Sequence, residues 1–420
     1  MPRRVRLWKV GAIVLGLIAA IALAFWFWVD SVASRQWEAA LRRLEEIRKE
    51  AQARRPVRKV LRGEPIPGNA WDDYTAALGE ARKLASPGKA LALTVLADPR
   101  SDPVKAVSVV QAGAAAIVHF RKGARRETSD YPAELESVSS RARRGLDDDF
   151  RLLTCLALAQ ARVLDQEGRS REAAEVLLDY FQFMRDLWAD GGSGGRHSAS
   201  LEMCIVLDEV QALIMSGSFS REDFLALDGQ CQVLDSEFPS ALFKTLGDLV
   251  GDGETVVSMR VNSDRLQEAG WNWLKTWRFA FSERLIKIDA IRRIDQCARL
   301  TVSLEGRPYH EVFMAYEGVV AEDPEYPTRN PLWTSHGHKY WGSNERIRLT
   351  QIRLLRMAVH FRATGEVLDL EDPYGNRLVH SVTGGHLKAW SWANGRTSGP
   401  RPGQWKPLGD PVSLSIETDR

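Results

Sequence analysis

Residues 10–29, VGAIVLGLIAAIALAFWFWV, run for twenty residues without a charge or a strongly polar side chain. At ~1.5 Å per residue this run makes a helix about 30 Å long, the thickness of a bilayer's hydrocarbon core. A helix also satisfies its own backbone donors and acceptors, which lipid demands. The run therefore predicts a transmembrane helix, with the lipid bilayer as the partner of residues 10–29. Trp8, Trp26 and Trp28 stand near its ends, where aromatic rings favour the headgroup region. Arg3, Arg4, Arg6 and Lys9 precede it with no acid among them, whereas Arg35, Arg42, Arg43, Arg48 and Lys49 beyond it are mixed with acids. The positive-inside rule then predicts a cytoplasmic basic tip at 1–9 and an extracytoplasmic body, the topology of a single-pass inner-membrane protein. Ser31-Val32-Ala33 also reads as a small-x-small cleavage site. However, the apolar run exceeds the ~7–15 residues of a signal peptide and ends in the bulky Phe25–Trp28, which favours an uncleaved anchor.

Beyond the anchor, helix formers dominate a stalk over 30–62, with Trp37, Leu41, Leu44, Ile47 and Ala51 on one stripe suited to packing or self-association. Gly63-Glu64-Pro65-Ile66-Pro67-Gly68 predicts a linker at 63–68. A helical body then spans 69–302. Asn69 is placed to cap a helix through Trp71, Tyr74 and Leu78, with Asp72 and Asp73 complementing its dipole. The Asp147-Asp148-Asp149 run is read the same way, ahead of a helix. Residues 149–166 and 171–188 carry apolar residues at helical spacing on either side of Glu167-Gly168-Arg169-Ser170, which predicts a helical hairpin. Ser220 and Asp223 have the spacing of a capping box. Gly251–Glu254 reads as a break between helices.

A long helix is expected over 266–302. It is rich in Trp271, Trp273, Trp277, Phe279 and Phe281 interleaved with Lys and Arg, a pattern that suits either a membrane surface or a core helix with a solvated face. The region 303–420 reads as α+β: a helix over 345–364, strands at 377–382 and 386–392 joined by Thr383-Gly384-Gly385, and a third strand at 412–418. The fold class is therefore mainly α: an N-terminal transmembrane helix, a stalk, a helical-hairpin body and a small C-terminal antiparallel β hairpin or meander.

Lys plus Arg number 57 and Asp plus Glu 55, a net charge of +2 that gives no electrostatic case for nucleic acid. Cys155, Cys204, Cys231 and Cys297 form no Cys-x-x-Cys pair and read as buried small hydrophobes, although an extracytoplasmic body would permit a disulfide. No nucleophile elbow, phosphate-binding loop, dinucleotide fingerprint or zinc-protease helix is present, and no cofactor is implied. His336 and His338 in Trp-Thr-Ser-His-Gly-His are the candidate metal ligands, but a catalytic zinc site needs three protein ligands. His197, in the Gly191–Ser198 loop, reads as a solvated side chain.

Ala161, Gly168, Ala173 and Leu177 fall at the small and bulky positions of a tetratricopeptide repeat, which the predicted hairpin resembles. Arg185 stands where that repeat ends in Pro, and no second copy follows. The helix, Asp372-Pro373-Tyr374-Gly375-Asn376 and the following hairpin resemble the C-terminal part of G-type pseudopilins of type II secretion. That resemblance implies the local hairpin. Arg396-Thr397-Ser398-Gly399 replaces the acidic calcium ligands, and the N-terminus lacks the Gly-Phe and Glu of a processed prepilin, so calcium is not implied. Gly68–Tyr74 and the Asp-Pro-aromatic-Gly turn together resemble a class of uncharacterised bacterial membrane-anchored helical proteins, a likeness that implies no activity.

The function expected from these features is that of a membrane-tethered extracytoplasmic interaction or scaffold protein with a protein partner. The alternatives are a hydrolase or metal-dependent enzyme gathering His336, His338 or His310 with acids, and an accessory protein of secretion or pilus assembly.

Overall fold

The computed structural model describes residues 2–84, 103–132, 140–190, 207, 209–213, 219–237, 241–258, 273–305, 307, 315, 338–372, 377–391 and 413–416. They form a mainly helical protein with a small C-terminal antiparallel sheet, arranged as two compact units.

The first unit contains α1 (Pro2–Ala53), the end of α8 (Ala241–Ser258) and α9 (Trp273–Ser303). The apolar run and the stalk are one continuous helix. The helix is long and apolar enough to cross a membrane, and its described large apolar side chains from Ile13 to Trp28 are exposed, from 46% at Trp26 to 69% at Leu15. The pattern changes from Ala33 onward, where Ala40, Leu44, Ile47 and Ala51 are buried. Ala40 and Leu44 pack with Val256 of α8 and Ile288 and Ile291 of α9, so the stripe is covered within the chain. α1 ends at Ala53, nine residues short of the expected stalk, because Pro56 disfavours helical backbone at Arg55.

The expected break at Gly251–Glu254 does not occur: α8 runs through it. Gly253 is there for closeness. A Cβ on it would collide with the Leu44 side chain, so the glycine lets α8 approach α1. Lys287 Nζ donates to the Val257 carbonyl at 3.2 Å, tying α9 to the end of α8.

The second unit begins at Arg54. An extended segment leads to β1 (Ile66–Asn69), which enters α2 (Ala70–Arg82) directly. The Asn69 cap is present: its Oδ1 accepts from Trp71 N at 3.3 Å, and also from Asp130 N at 2.8 Å. α3 (Pro103–Ala112), α4 (Ala114–Ala124) and β2 (Arg126–Thr128) follow, with β2 pairing parallel to β1. α2 and α4 touch through Gly123.

The predicted hairpin is α5 (Ser140–Gln166) and α6 (Ser170–Asp190). Gly168, at φ 75°, closes a Schellman turn in which Arg169 N donates to the Leu164 carbonyl and Gly168 N to that of Asp165. Because α5 begins at Ser140, Asp147–Asp149 lie inside it and cannot serve its N-terminus. Asp149 instead accepts from Arg82 Nε at 2.7 Å. The core here is aromatic, with Tyr74 and Phe183 edge to face at 4.6 Å and Trp71 against Tyr74 at 5.3 Å.

α7 (Arg221–Glu237) opens with the predicted capping box, Ser220 and Asp223 each accepting from the other's backbone N–H at 3.2 Å. It packs antiparallel on α10 (His338–Thr364), where Arg221 Nε donates to the Ala363 carbonyl at 2.9 Å and the Arg362 guanidinium lies over Phe224. The sheet orders β3 (Val379–Thr383), β4 (His386–Trp390) and β5 (Ser413–Ile416) in sequence, all antiparallel. Gly384 and Gly385 both take positive φ, as a two-residue hairpin turn of the primed kind requires. Asp372 is buried and accepts from Ser391 Oγ at 2.7 Å, which fixes where the predicted turn begins.

Cys155, Cys231 and Cys297 are all buried. Cys204 and residues 373–376 lie outside the described residues.

Gly123 is a close approach in this unit that a mutation can probe. A Cβ there would stand 2.6 Å from the Tyr74 ring and 3.1 Å from the Ala70 carbonyl oxygen. Gly123→Ala is expected to destabilise the protein by about 1–3 kcal/mol, read as a lowered urea midpoint with unchanged slope.

Candidate functional site

Among the described residues, a dense array of buried polar groups lies where the chain leaves α1 and runs along α6. Most of α6 is apolar and buried on all sides, yet Glu175, Asp179, Gln182, Arg185 and Asp186 form one polar stripe along it. From Asp179 to Asp186 the helix rises about 10 Å. The segment from Arg58 to Arg62, held out of helix by Pro56, spans at most about 13 Å. The two repeats match, and the strand lies along the stripe in the opposite direction.

Arg58 meets Asp186 fork to fork, Nε on Oδ1 at 2.9 Å and Nη2 on Oδ2 at 2.7 Å. Arg62 does the same to Asp179, at 2.9 and 2.7 Å. Between them the Leu61 N–H donates to Gln182 Oε1 at 3.0 Å, and Arg185 Nη2 donates to the Val57 carbonyl at 2.7 Å. Asp186 also accepts from Tyr74 Oη at 2.9 Å and from Gln182 Nε2 at 3.0 Å. Arg58 Nη2 reaches the Gly123 and Ala124 carbonyls, at 3.2 and 3.3 Å, so the same guanidinium caps the negative end of α4. Arg121 of α4 adds a second cation to Asp179 at 2.9 Å. The Arg58 and Asp186 side chains are 8% and 1% exposed.

Burial would lower the Arg58 pKa, but the Asp186 carboxylate outweighs it and the guanidinium is held above its ordinary value. Burial, with Asp186 alongside, pushes the Tyr74 phenol well above 10. A phenol held neutral and carboxylates saturated by arginine form a clamp. They offer neither a general base nor a nucleophile.

A smaller satellite surrounds Asp73. Asp72 and Asp73 do occupy the first turn of α2, as expected, but Asp73 has a further role. It accepts from Arg126 Nε at 2.6 Å and pairs with Lys122 at 3.2 Å. Burial alone would raise its pKa, but the hydrogen bonds from Arg126 and Lys122 more than offset that and hold it below the usual carboxylate value.

A second ladder joins α7 to α10. His360 Nδ1 lies 2.8 Å from Asp228 Oδ2, Arg356 lies 3.4 Å from the same carboxylate, and Arg353 donates to Asp235 at 2.9 Å. A carboxylate orienting an imidazole is half of a nucleophile-activating arrangement. Cys231, one turn from Asp228, does not complete it, because burial pushes its thiol up to about 12.

Of the predicted metal candidates, His336 lies outside the described residues, as does His310, and His338 opens α10. Among the described residues no group of three or more His, Cys, Asp or Glu is placed to hold a metal ion. The clamp residues Arg58, Arg62, Asp179 and Asp186 were not singled out as a site from the sequence. The available signal was a pair of patterns: acids recurring at helical spacing in an otherwise apolar helix, and a basic run of matching length after a proline.

No protein family matches this chain, and no characterised protein or solved structure is similar to it.

Arg58→Met removes the two-pronged cation from buried Asp186, leaving Arg185 Nη1 at 3.7 Å, and is expected to destabilise by about 3–5 kcal/mol in denaturant unfolding. Adding Asp186→Asn is expected to give part of that back; strictly additive losses would show that the pair is not coupled. Asp73 contributes stability above its unfolded pKa of about 3.9, and that contribution disappears as pH falls through the lower folded value. The stability of Asp73→Asn is therefore expected to vary less than wild type between pH 5 and 3.

Proposed function

We propose that this protein is a membrane-tethered interaction or scaffold protein, anchored through residues 10–29, with its N-terminus in the cytoplasm and its helical body outside. The observation that carries this reading is the continuity of α1. Twenty uncharged residues, whose described large side chains are exposed from Ile13 to Trp28, pass without a break into a stalk packed by other helices of the same chain. Uncovered apolar surface of that extent is unstable in water and stable in lipid. The basic residues at 3–9 support the orientation.

The use of the body's charges supports binding over catalysis. Asp73, Asp179, Asp186, Asp228 and Asp235 are all engaged by arginine within the fold. Charges spent in this way make a rigid platform, and function then falls to its outer surface and to a partner protein recognised there.

Alkaline carbonate extraction of bacterial membranes is expected to leave the full chain in the pellet, and protease added to spheroplasts is expected to digest the body. Chemical crosslinking in intact cells, followed by denaturing purification, is expected to give one dominant protein adduct. A chain extracted with its N-terminus intact would overturn the anchor. Absence of any adduct, together with turnover of a hydrolase substrate panel by the purified protein, would overturn the scaffold reading.

A further inference from the structure

The stalk and α9 run in the same direction, and this sets the height of α9's aromatic end. Arg284 Nη1 donates to Ser34 Oγ at 2.9 Å and lies 3.4 Å from Asp30 Oδ1. Further along both helices Arg43 Nε donates to Asp295 Oδ1 at 2.5 Å. Nine residues separate Ser34 from Arg43 and eleven separate Arg284 from Asp295, so the two helices advance together. The helix continues for eleven residues ahead of Arg284, to Trp273. At ~1.5 Å each, that extends about 16 Å back along α1. Counted back from Asp30–Ser34, this stretch falls within the level of residues 19–34, alongside Phe25, Trp26, Phe27 and Trp28.

Two runs of aromatic residues therefore share one level, Phe25–Trp28 on α1 and Trp273, Trp277, Phe279 and Phe281 on α9. Trp26 and Trp28 are 46% and 63% exposed there. Between the α9 aromatics stand Lys275 and Arg278, with no acid before Glu283. Aromatic and basic residues interleaved in sequence at that level suit the boundary where lipid carbonyls and phosphates lie.

We infer that the first three turns of α9, Trp273–Arg284, form a second membrane contact beside the anchor, entering the boundary between headgroups and acyl chains, with Lys275 and Arg278 reaching back to the phosphates of anionic lipid. This rests on the anchor proposed above. By sequence a basic, aromatic helix of this composition suits a core position better; its register against α1 is the argument for the membrane.

The test uses the full chain reconstituted in phosphatidylglycerol–phosphatidylcholine vesicles, with p-benzoylphenylalanine replacing one residue at a time. Phe25 lies in the anchor, Phe279 and Trp277 in the inferred contact, and Val382 on the exposed hairpin strand. Phe25, and either Phe279 or Trp277, are expected to give lipid adducts at least tenfold above Val382. Lys275→Gln with Arg278→Gln is expected to lower the α9 adducts several-fold without affecting those at Phe25. Adducts at Phe25 with both α9 positions at the Val382 background would overturn the inference and leave the anchor standing. Background at Phe25 as well would overturn both.

Discussion

Asp186 sets the terms for the second unit, because a carboxylate that is almost wholly buried survives only if every side of it is satisfied. The desolvation penalty for such an ion is several kcal/mol, and its attraction to one cation repays this only with good geometry and further hydrogen bonds. Asp186 has both: the Arg58 fork, the Tyr74 hydroxyl and the Gln182 amide. Those donors come from the segment after α1, from α2 and from α6, and Arg58 in turn grips the end of α4. One acid therefore fixes the mutual positions of four chain segments. An apolar residue there could fill the volume but could not dictate which strand lies on α6, or in which direction.

The glycine at the end of α4 follows from the same arrangement. Arg58 can reach the Gly123 and Ala124 carbonyls only if α4 comes close to α2, and the bare Cα of Gly123 against the Tyr74 ring permits that approach. Tyr74 thus has two duties, packing on Gly123 with its ring face and satisfying Asp186 with its hydroxyl. Asp73, its neighbour, points to the other side and ties Arg126 of β2 to α2. Two adjacent residues at the start of one helix thereby lock both of the elements that follow it. The short parallel pairing of β1 and β2 adds backbone hydrogen bonding to a junction that side chains already define.

Much of the fold was legible in the sequence because its signals are local. The apolar run, the α5–α6 hairpin with Gly168, the Asn69 cap, the Ser220–Asp223 box and the Gly384-Gly385 turn each depend on residues a few positions apart. What was not legible depends on partners far away in the chain. Gly253 looks like a helix breaker until Leu44, some 200 residues earlier, is seen to need the space. Asp149 looks like a helix cap until α5 is seen to start upstream and Arg82 to reach across. The clamp is the extreme case, since Arg58 and Asp186 are 128 positions apart. Each half alone has an ordinary explanation, a basic linker and an acid on a helix. Only the fold brings them into one site.

α1 shows how one helix can be written for two surroundings. From Ile13 to Trp28 its described large apolar side chains are exposed; from Ala33 the apolar residues narrow to a stripe that other helices bury. The change falls at Asp30, the first charge after the apolar run, and Arg284 pairs with it there. A helix apolar all round demands an apolar medium, and one with a stripe demands a protein partner. The switch between these demands coincides with the place where α9 is first tied to α1 by ion pairs. α1 is therefore built as a rigid extension of a folded unit rather than as a loose tether. Any tilt of the apolar segment is transmitted to that unit through packed residues such as Ala40 and Leu44.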